Sequence, residues 1–190
     1  METTLRPPTR TTGLTQAERD LIPQERLGDR HELIDGELFV TASPIPPHEF
    51  VSANFSFALQ LVVRPARLGW VFHAPVDVRF TDGTIVVPDV GFVRRNRLGI
   101  VGPTLIDGAP DLLAGVVSPS TRGRDVGAKK ALYARFGVPE YWLFDPVARL
   151  VTPFVLTAGQ YRGEPRGSGT VTSSVLPGFT AEAIALFAMP

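Results

Sequence analysis

The apolar residues of this chain repeat at two different periods, and the switches between them mark out its elements. Thr15 caps a short predicted helix, TQAERDLI, which Pro23 stops. HELIDGELFVTAS has two short apolar runs on either side of Asp35-Gly36, the signal of a β-hairpin. SPIPP is a rigid loop. From His48 to Val63 the residues Phe50, Val51, Phe55, Ala58, Leu59 and Val62 form a helical stripe, which Pro65 and Gly69 are expected to end. GWVFHAPVDVRF predicts a long strand. Asp82-Gly83 turns it into a second strand, Thr84 to Val93, as an antiparallel pair.

A loop rich in Arg, Gly and Pro comes next, from Arg94 to Pro110. DLLAGVVS, Asp111 to Ser118, predicts a buried strand. SPSTRGRD supplies caps for a helix ending in AKKALYARFG, with Gly137 as its stop and Pro139 beyond. EYWLFDP is a strand, LVTPFVLTA and the segments after it give further short strands, and TVTSSVLPGF leads into a helical or extended tail. The unit from Asp111 to Pro146 implies a right-handed crossover and a parallel pair within an otherwise antiparallel sheet. The expected fold class is α/β, a mixed sheet with a helix on each face and extra antiparallel strands. Residues 1–13 are expected to fray, and 14–190 to form one domain.

Composition narrows the function. With 190 residues, 44% of them hydrophobic, one core burying about 70% of the unfolded surface is expected. The 19 basic and 19 acidic residues cancel, so no global field draws the protein to nucleic acid or membrane. There is no cysteine, which excludes disulfides and thiolate metal sites and fits a reducing compartment. No stretch reaches the roughly 18 apolar residues of a membrane span, and the N-terminus lacks a signal-peptide core. The default expectation is a soluble cytoplasmic protein. Basic charge is almost all arginine, and the only lysines are the adjacent Lys129 and Lys130. A lysine kept among arginines points to a need for a compact ammonium.

Asp89 is the strongest chemical signal. It interrupts TIVVPDVGFV, a run otherwise suited to a strand buried on both faces. A buried carboxylate must be paired, hydrogen-bonded or metal-bound, because burial alone costs several kcal/mol or shifts its pKa. Pro88 removes a ladder donor, so pairing should open where the acid is presented. No nucleotide-binding loop and no Ser-His-Asp order is present, which argues against a small-molecule enzyme.

ELIDGELFV, APVDVRF, VVPDVGFV, VVSPST and KKALYARFGVPEYWLFDP occur in the order and spacing of the Uma-two restriction endonuclease family, which the chain resembles. The resemblance spans residues 14 to 187, and VPEYWLFDP is its most distinctive part. It places the chain in the PD-(D/E)XK nuclease superfamily and implies a restriction-endonuclease-like core that holds Mg²⁺ or Mn²⁺ at a phosphodiester. Asp89 matches the family's PD aspartate, Lys129 its lysine, moved to the following helix, and Glu32 an acidic position near the start of the core. These imply Asp89 and Lys129 as catalytic groups, and Asp89 and Glu32 as metal ligands. Arg94, Arg95 and Arg97, just past the Asp89 strand, are candidates for tracking a DNA backbone. His48 follows SPIPP where the family often has a histidine.

Gly115 stands where the family typically has a glutamate, and a glycine offers no ligand oxygen. Each candidate has a plainer reading. Asp89 would pair with an arginine, Lys129 with Asp125 on its own helix, Glu32 would sit on a solvated hairpin, His48 would cap or pack, and the arginines would line a solvated loop. Two functions stay open. One is a metal-dependent DNA endonuclease, a homodimer because cutting both strands favours two-fold symmetry, with activity impaired by Gly115. The other is a degenerate nuclease fold that binds nucleic acid or a partner without cleaving.

Overall fold

The computed structural model describes residues 11–23, 29–41, 44–118 and 123–189. The expectations for residues 1–10, for the capping stretch 119–122 and for a pair between Lys129 and the Asp125 side chain lie outside them. Among the described residues no helix is long and apolar enough to cross a membrane.

Helix α1 (Gln16–Asp20) is held by the expected cap. Thr15 accepts from the Glu18 backbone N–H at 3.3 Å, and the Glu18 carboxylate accepts from the Thr15 N–H at 3.0 Å. Strands β1 (Arg30–Ile34) and β2 (Glu37–Thr41) form the expected hairpin through Asp35 and Gly36, both at positive φ. Helix α2 (Pro46–Ala66) ends between Pro65 and Gly69, as expected, but starts two residues before His48, so that both final prolines of SPIPP, expected in a rigid loop, form its first turn. Pro65 removes one donor but keeps a helical φ, and the helix stops only where Arg67 turns left-handed at φ 51°.

The two long strands expected in the middle are each cut in half. Gly69 to Phe80 becomes β3 (Gly69–His73) and β4 (Val78–Thr81), and Thr84 to Val93 becomes β5 (Thr84–Val86) and β6 (Val90–Arg94). The breaks fall at Pro75 and at Pro88-Asp89, where prolines deprive the ladder of donors. The halves join different sheets. With β7 (Ile106–Asp107), the first sheet has the order β2-β1-β5-β4-β7. The second is completed by β8 (Leu112–Val116), β9 (Glu140–Asp145), β10 (Leu150–Thr157) and β11 (Gln160–Arg162), in the order β11-β10-β9-β8-β6-β3. The one parallel pair of this second sheet is β8 with β9, as the crossover requires.

Between β8 and β9 the chain makes a π-helical turn, Arg124–Lys129, and then α3 (Lys130–Arg135). A π-turn widens the backbone by one residue just before Lys129, which helical periodicity alone does not reveal. The tail forms a small pair, β12 (Thr170–Thr172) with β13 (Thr180–Glu182), and a 3-10 turn at Ala183–Phe187.

The second sheet is covered on both faces. Val51, Phe55, Leu59 and Val63 of α2 pack on Phe92, Ala114, Trp142 and Phe144. Phe55 stacks on Trp142 with ring centroids 4.9 Å apart, so Phe55→Ala should cost about 3–5 kcal/mol. Leu132 and Tyr133 of α3 cover the opposite face with Leu113, Tyr141 and Leu143. This is the expected mixed α/β core with a helix on each side.

Candidate active site

The chain crosses from the first sheet to the second at Val87-Pro88-Asp89, and the site forms around that crossing. Asp89 N–H donates to the Ala114 carbonyl at 3.1 Å, and its own carbonyl accepts from Ala74 N–H at 3.1 Å. These two bonds fix the backbone where the ladder is open. The side chain is buried, with 8% exposure. Its Oδ2 accepts the Val116 N–H at 2.7 Å. Its Oδ1 receives the Arg30 guanidinium and lies 3.3 Å from His48 Nε2. Burial pushes the Asp89 carboxyl upward, but the His48 hydrogen bond and the His48 and Arg30 charges outweigh it and hold the group at about 2.

Glu32 forms the second half of the site. Arg30 and Glu32 are two residues apart on β1, so they share a face of the strand, while Leu33 turns the other way into a small core with Leu14 and Ile85. Glu32 is 1% exposed, so the solvated-hairpin reading is corrected: Oε1 accepts the Val87 N–H at 2.8 Å and the Lys129 Nζ at 2.9 Å. A carboxylate this deep needs such partners. Lys129 is itself buried at 8% exposure, and its ammonium points inward at Glu32. Val87 links the halves, since the N–H that Glu32 holds is two residues before Asp89.

His48 stands in the first turn of α2, and Arg30 stands on β1; the sequence signalled neither as a partner of Asp89. The signal for Arg30 was available in its spacing from Glu32, because two residues along a strand return to one face. His48 Nδ1 is buried without a hydrogen bond among the described residues, 3.6 Å from Glu49 Oε1. Beside the crossing opens a cleft of about 780 Å³, whose lining includes Arg30, Val87, Glu49, Asp29 and Asp77. Asp77 in turn pairs with Arg19.

A divalent ion would need anionic oxygens not already engaged. Both oxygens of Asp89 and Oε1 of Glu32 hold donors, and each carboxylate has a cation of the chain against it. Among the described residues no three His, Cys, Asp or Glu side chains cluster so as to hold a metal. As folded, the donor set does not fit the Mg²⁺ or Mn²⁺ that the sequence resemblance implied. Gly115 explains part of this. A Cβ built there would lie 2.9 Å from the Tyr141 hydroxyl, so the tyrosine crowds the space a longer side chain would use.

The three arginines expected to track nucleic acid lie at the far end of β6 from Asp89. Two are tied into the fold. Arg94 donates from Nε and Nη2 to the Val175 carbonyl at 3.2 and 3.0 Å. Arg97 Nη1 pairs with buried Asp111 at 2.9 Å, and its Nη2 donates to the Ala109 carbonyl at 2.7 Å. Arg95 is exposed. Tyr141 and Trp142 are wholly buried, as core residues should be.

No curated protein matches this chain. A solved structure of a "putative nuclease" from Anabaena variabilis shares its fold with a TM-score of 0.75 and 21% identity, over 92% of this chain and 97% of that one. A family model, Uma2, described as "Putative restriction endonuclease", matches residues 17–186. That match covers most of the sequence and embraces the crossing, Glu32, Lys129 and both sheets: the chain belongs to the Uma2 family.

Proposed function

We propose that this protein acts on nucleic acid, DNA in particular, at the cleft beside Asp89, and that its hydrolytic site is impaired. The observation that carries the reading is the gathering of Asp89, Glu32 and the buried Lys129 ammonium around one open stretch of backbone, in a chain of nuclease family. Two buried acids and a buried lysine are costly to keep unless they are used or fully paired.

The chain's own cations supply a way to receive a phosphodiester. A guanidinium binds phosphate as readily as carboxylate, by paired N–H donors. A phosphate entering the cleft competes with Asp89 for Arg30, and its success would leave Asp89 Oδ1 with His48 alone. Lys129, held by Glu32, adds a fixed positive charge beside the crossing. Restriction-endonuclease-like nucleases generally use divalent metals. Dependence on Mg²⁺ or Mn²⁺ here would require that release of Arg30 first. Action on both strands of a duplex would call for a homodimer, and the absence of cysteine suits a cytoplasmic setting.

A second reading, nucleic-acid binding without cleavage, is favoured by Gly115 and by the Arg30–Asp89 pair. One experiment separates them. Plasmid and linear duplex are incubated with the purified protein in Mn²⁺, in Mg²⁺ and in EDTA, beside Asp89→Asn, and binding is followed in parallel. Slow cleavage that needs metal and is lost in Asp89→Asn supports the impaired nuclease. Duplex binding with no cleavage in any condition supports the second reading. Cleavage that persists in EDTA or in Asp89→Asn contradicts both.

A further inference from the structure

We propose that the recess at the far end of β6 is a separate binding site for a free mononucleotide, a phosphate monoester carrying a flat, largely apolar ring. This recess has a volume of about 530 Å³, within the range of about 300–1,000 Å³ usual for small-ligand pockets. Its apolar lining is offered by half-buried Leu68 and exposed Pro177, backed by the buried Phe92 and Leu176, with Arg67, Arg94 and Arg95 around it. Asp89 precedes the first residue of β6 and Arg94 is its last, so the two sites are about 16 Å apart at the rise of an extended strand.

The three guanidiniums differ in kind. Arg94 is fixed, because its Nε and Nη2 hold the Val175 carbonyl, and it keeps further N–H groups for a ligand. Arg67 and Arg95 are exposed and make no ion pair among the described residues. Arg67 is presented by the left-handed turn that ends α2. None of the pocket's described lining residues is acidic. Asp111, the nearest carboxylate to Arg94 at 3.6 Å, is buried and already bound to Arg97 and the Arg94 N–H. Three positive charges over an apolar floor, with no acid facing them, complement an anion that has an apolar body.

The wall opposite β6 is equally fixed. Glu140, wholly buried on β9, accepts from Ser173 Oγ at 2.9 Å and from Ser174 N, Ser174 Oγ and Val175 N, each at 3.0 Å. One buried carboxylate thus pins the segment that carries Val175 and Leu176. A site whose walls are ordered before binding loses little entropy when the ligand arrives. Base and ribose would lie against Leu68 and Pro177, with the phosphate between Arg67, Arg94 and Arg95.

Isothermal titration with adenosine 5′-monophosphate tests this, with adenosine, inorganic phosphate and a 5′-phosphorylated trinucleotide as further probes. The doubly substituted Arg67→Gln/Arg95→Gln protein should fold normally, since both side chains are exposed and unpaired; its melting curve checks that. Saturable binding of the monophosphate is expected, weakened about tenfold or more in the double variant. Adenosine and inorganic phosphate should each bind more weakly than the monophosphate. The proposal is overturned if the monophosphate fails to bind at millimolar concentration, or binds the double variant equally well. Loss of binding in Arg30→Gln, with the double variant unaffected, would place the ligand in the other cleft and overturn it too. Binding of the trinucleotide but not of the monophosphate would overturn the free-nucleotide assignment.

Discussion

The two recesses at the ends of β6 are built from similar residues and reach opposite electrostatic outcomes. At the Asp89 end, acids and bases are buried together, and the two carboxylates at the crossing each have a cation: Arg30 on Asp89, Lys129 on Glu32. At the Arg94 end, two of the three lining arginines are exposed and answer to no acid among the described residues. The difference follows from burial. A charge taken out of water must be compensated within the fold, whereas a charge left in water need not be. The family resemblance pointed to the acidic end as the place for a ligand cation, yet as folded it is the basic end that has charge to offer.

The largest expected effect sharpens the basic end. Glu140 also accepts Trp142 Nε1–H at 2.6 Å, so Glu140→Ala strands several donors at once, those of Trp142 and Val175 among them buried. We expect a loss of about 3 kcal/mol or more in urea unfolding, together with loss of the recess beside Val175. A loss under about 1 kcal/mol would mean that the carboxylate does not organise that wall.

Gly115 tests crowding at the acidic end. Gly115→Glu should cost about 1–3 kcal/mol, because its Cβ meets the hydroxyl of the wholly buried Tyr141 at 2.9 Å. The next nearest atoms are ring carbons at 3.7 Å, an ordinary contact. In a Tyr141→Phe background the same substitution should therefore cost less, which a double-mutant cycle of urea midpoints would read. An equal cost in both backgrounds would show that the hydroxyl is not the obstacle.

The Asp89 pair should also be visible in acid. Its carboxyl is held at about 2 in the fold, against about 3.9 in an unfolded chain. A depressed carboxyl stabilises above its unfolded value, and that contribution drains away as pH falls through the folded one. It amounts to roughly 2 kcal/mol, lost between about pH 4 and pH 2. Asp89→Asn should flatten this part of the stability profile. A profile of unchanged slope there would mean that Arg30 and His48 do not hold the charged form.

Much of the fold was legible because periodicity and turn chemistry are local. The Asp35-Gly36 hairpin, the Thr15 cap and the β8-helix-β9 crossover all form where the sequence pattern puts them. What the sequence concealed was long-range. Pro75 and Pro88 announced breaks, but only the pairing of β4 with β7 and of β6 with β8 shows that the halves enter different sheets. At the site, Asp89 was legible as a buried acid needing a partner; which partner was not. Arg30 lies 59 residues away in sequence, and His48 reaches Asp89 from a helix on another element. Lys129 stood out by composition, while its place as the buried last residue of a π-turn was not legible in helical periodicity.

The central claim is that Asp89 is already held by the chain's own cation, and manganese binding tests it most directly. Calorimetric titration with Mn²⁺ should give no saturable binding to the wild-type protein at millimolar concentration. Arg30→Gln keeps a donor near Asp89 but removes the charge, and should tighten Mn²⁺ binding by about tenfold or more. A second substitution, Asp89→Asn, should abolish that gain. Saturable Mn²⁺ binding by the wild-type protein, lost in Asp89→Asn while Arg30 is intact, would contradict the account.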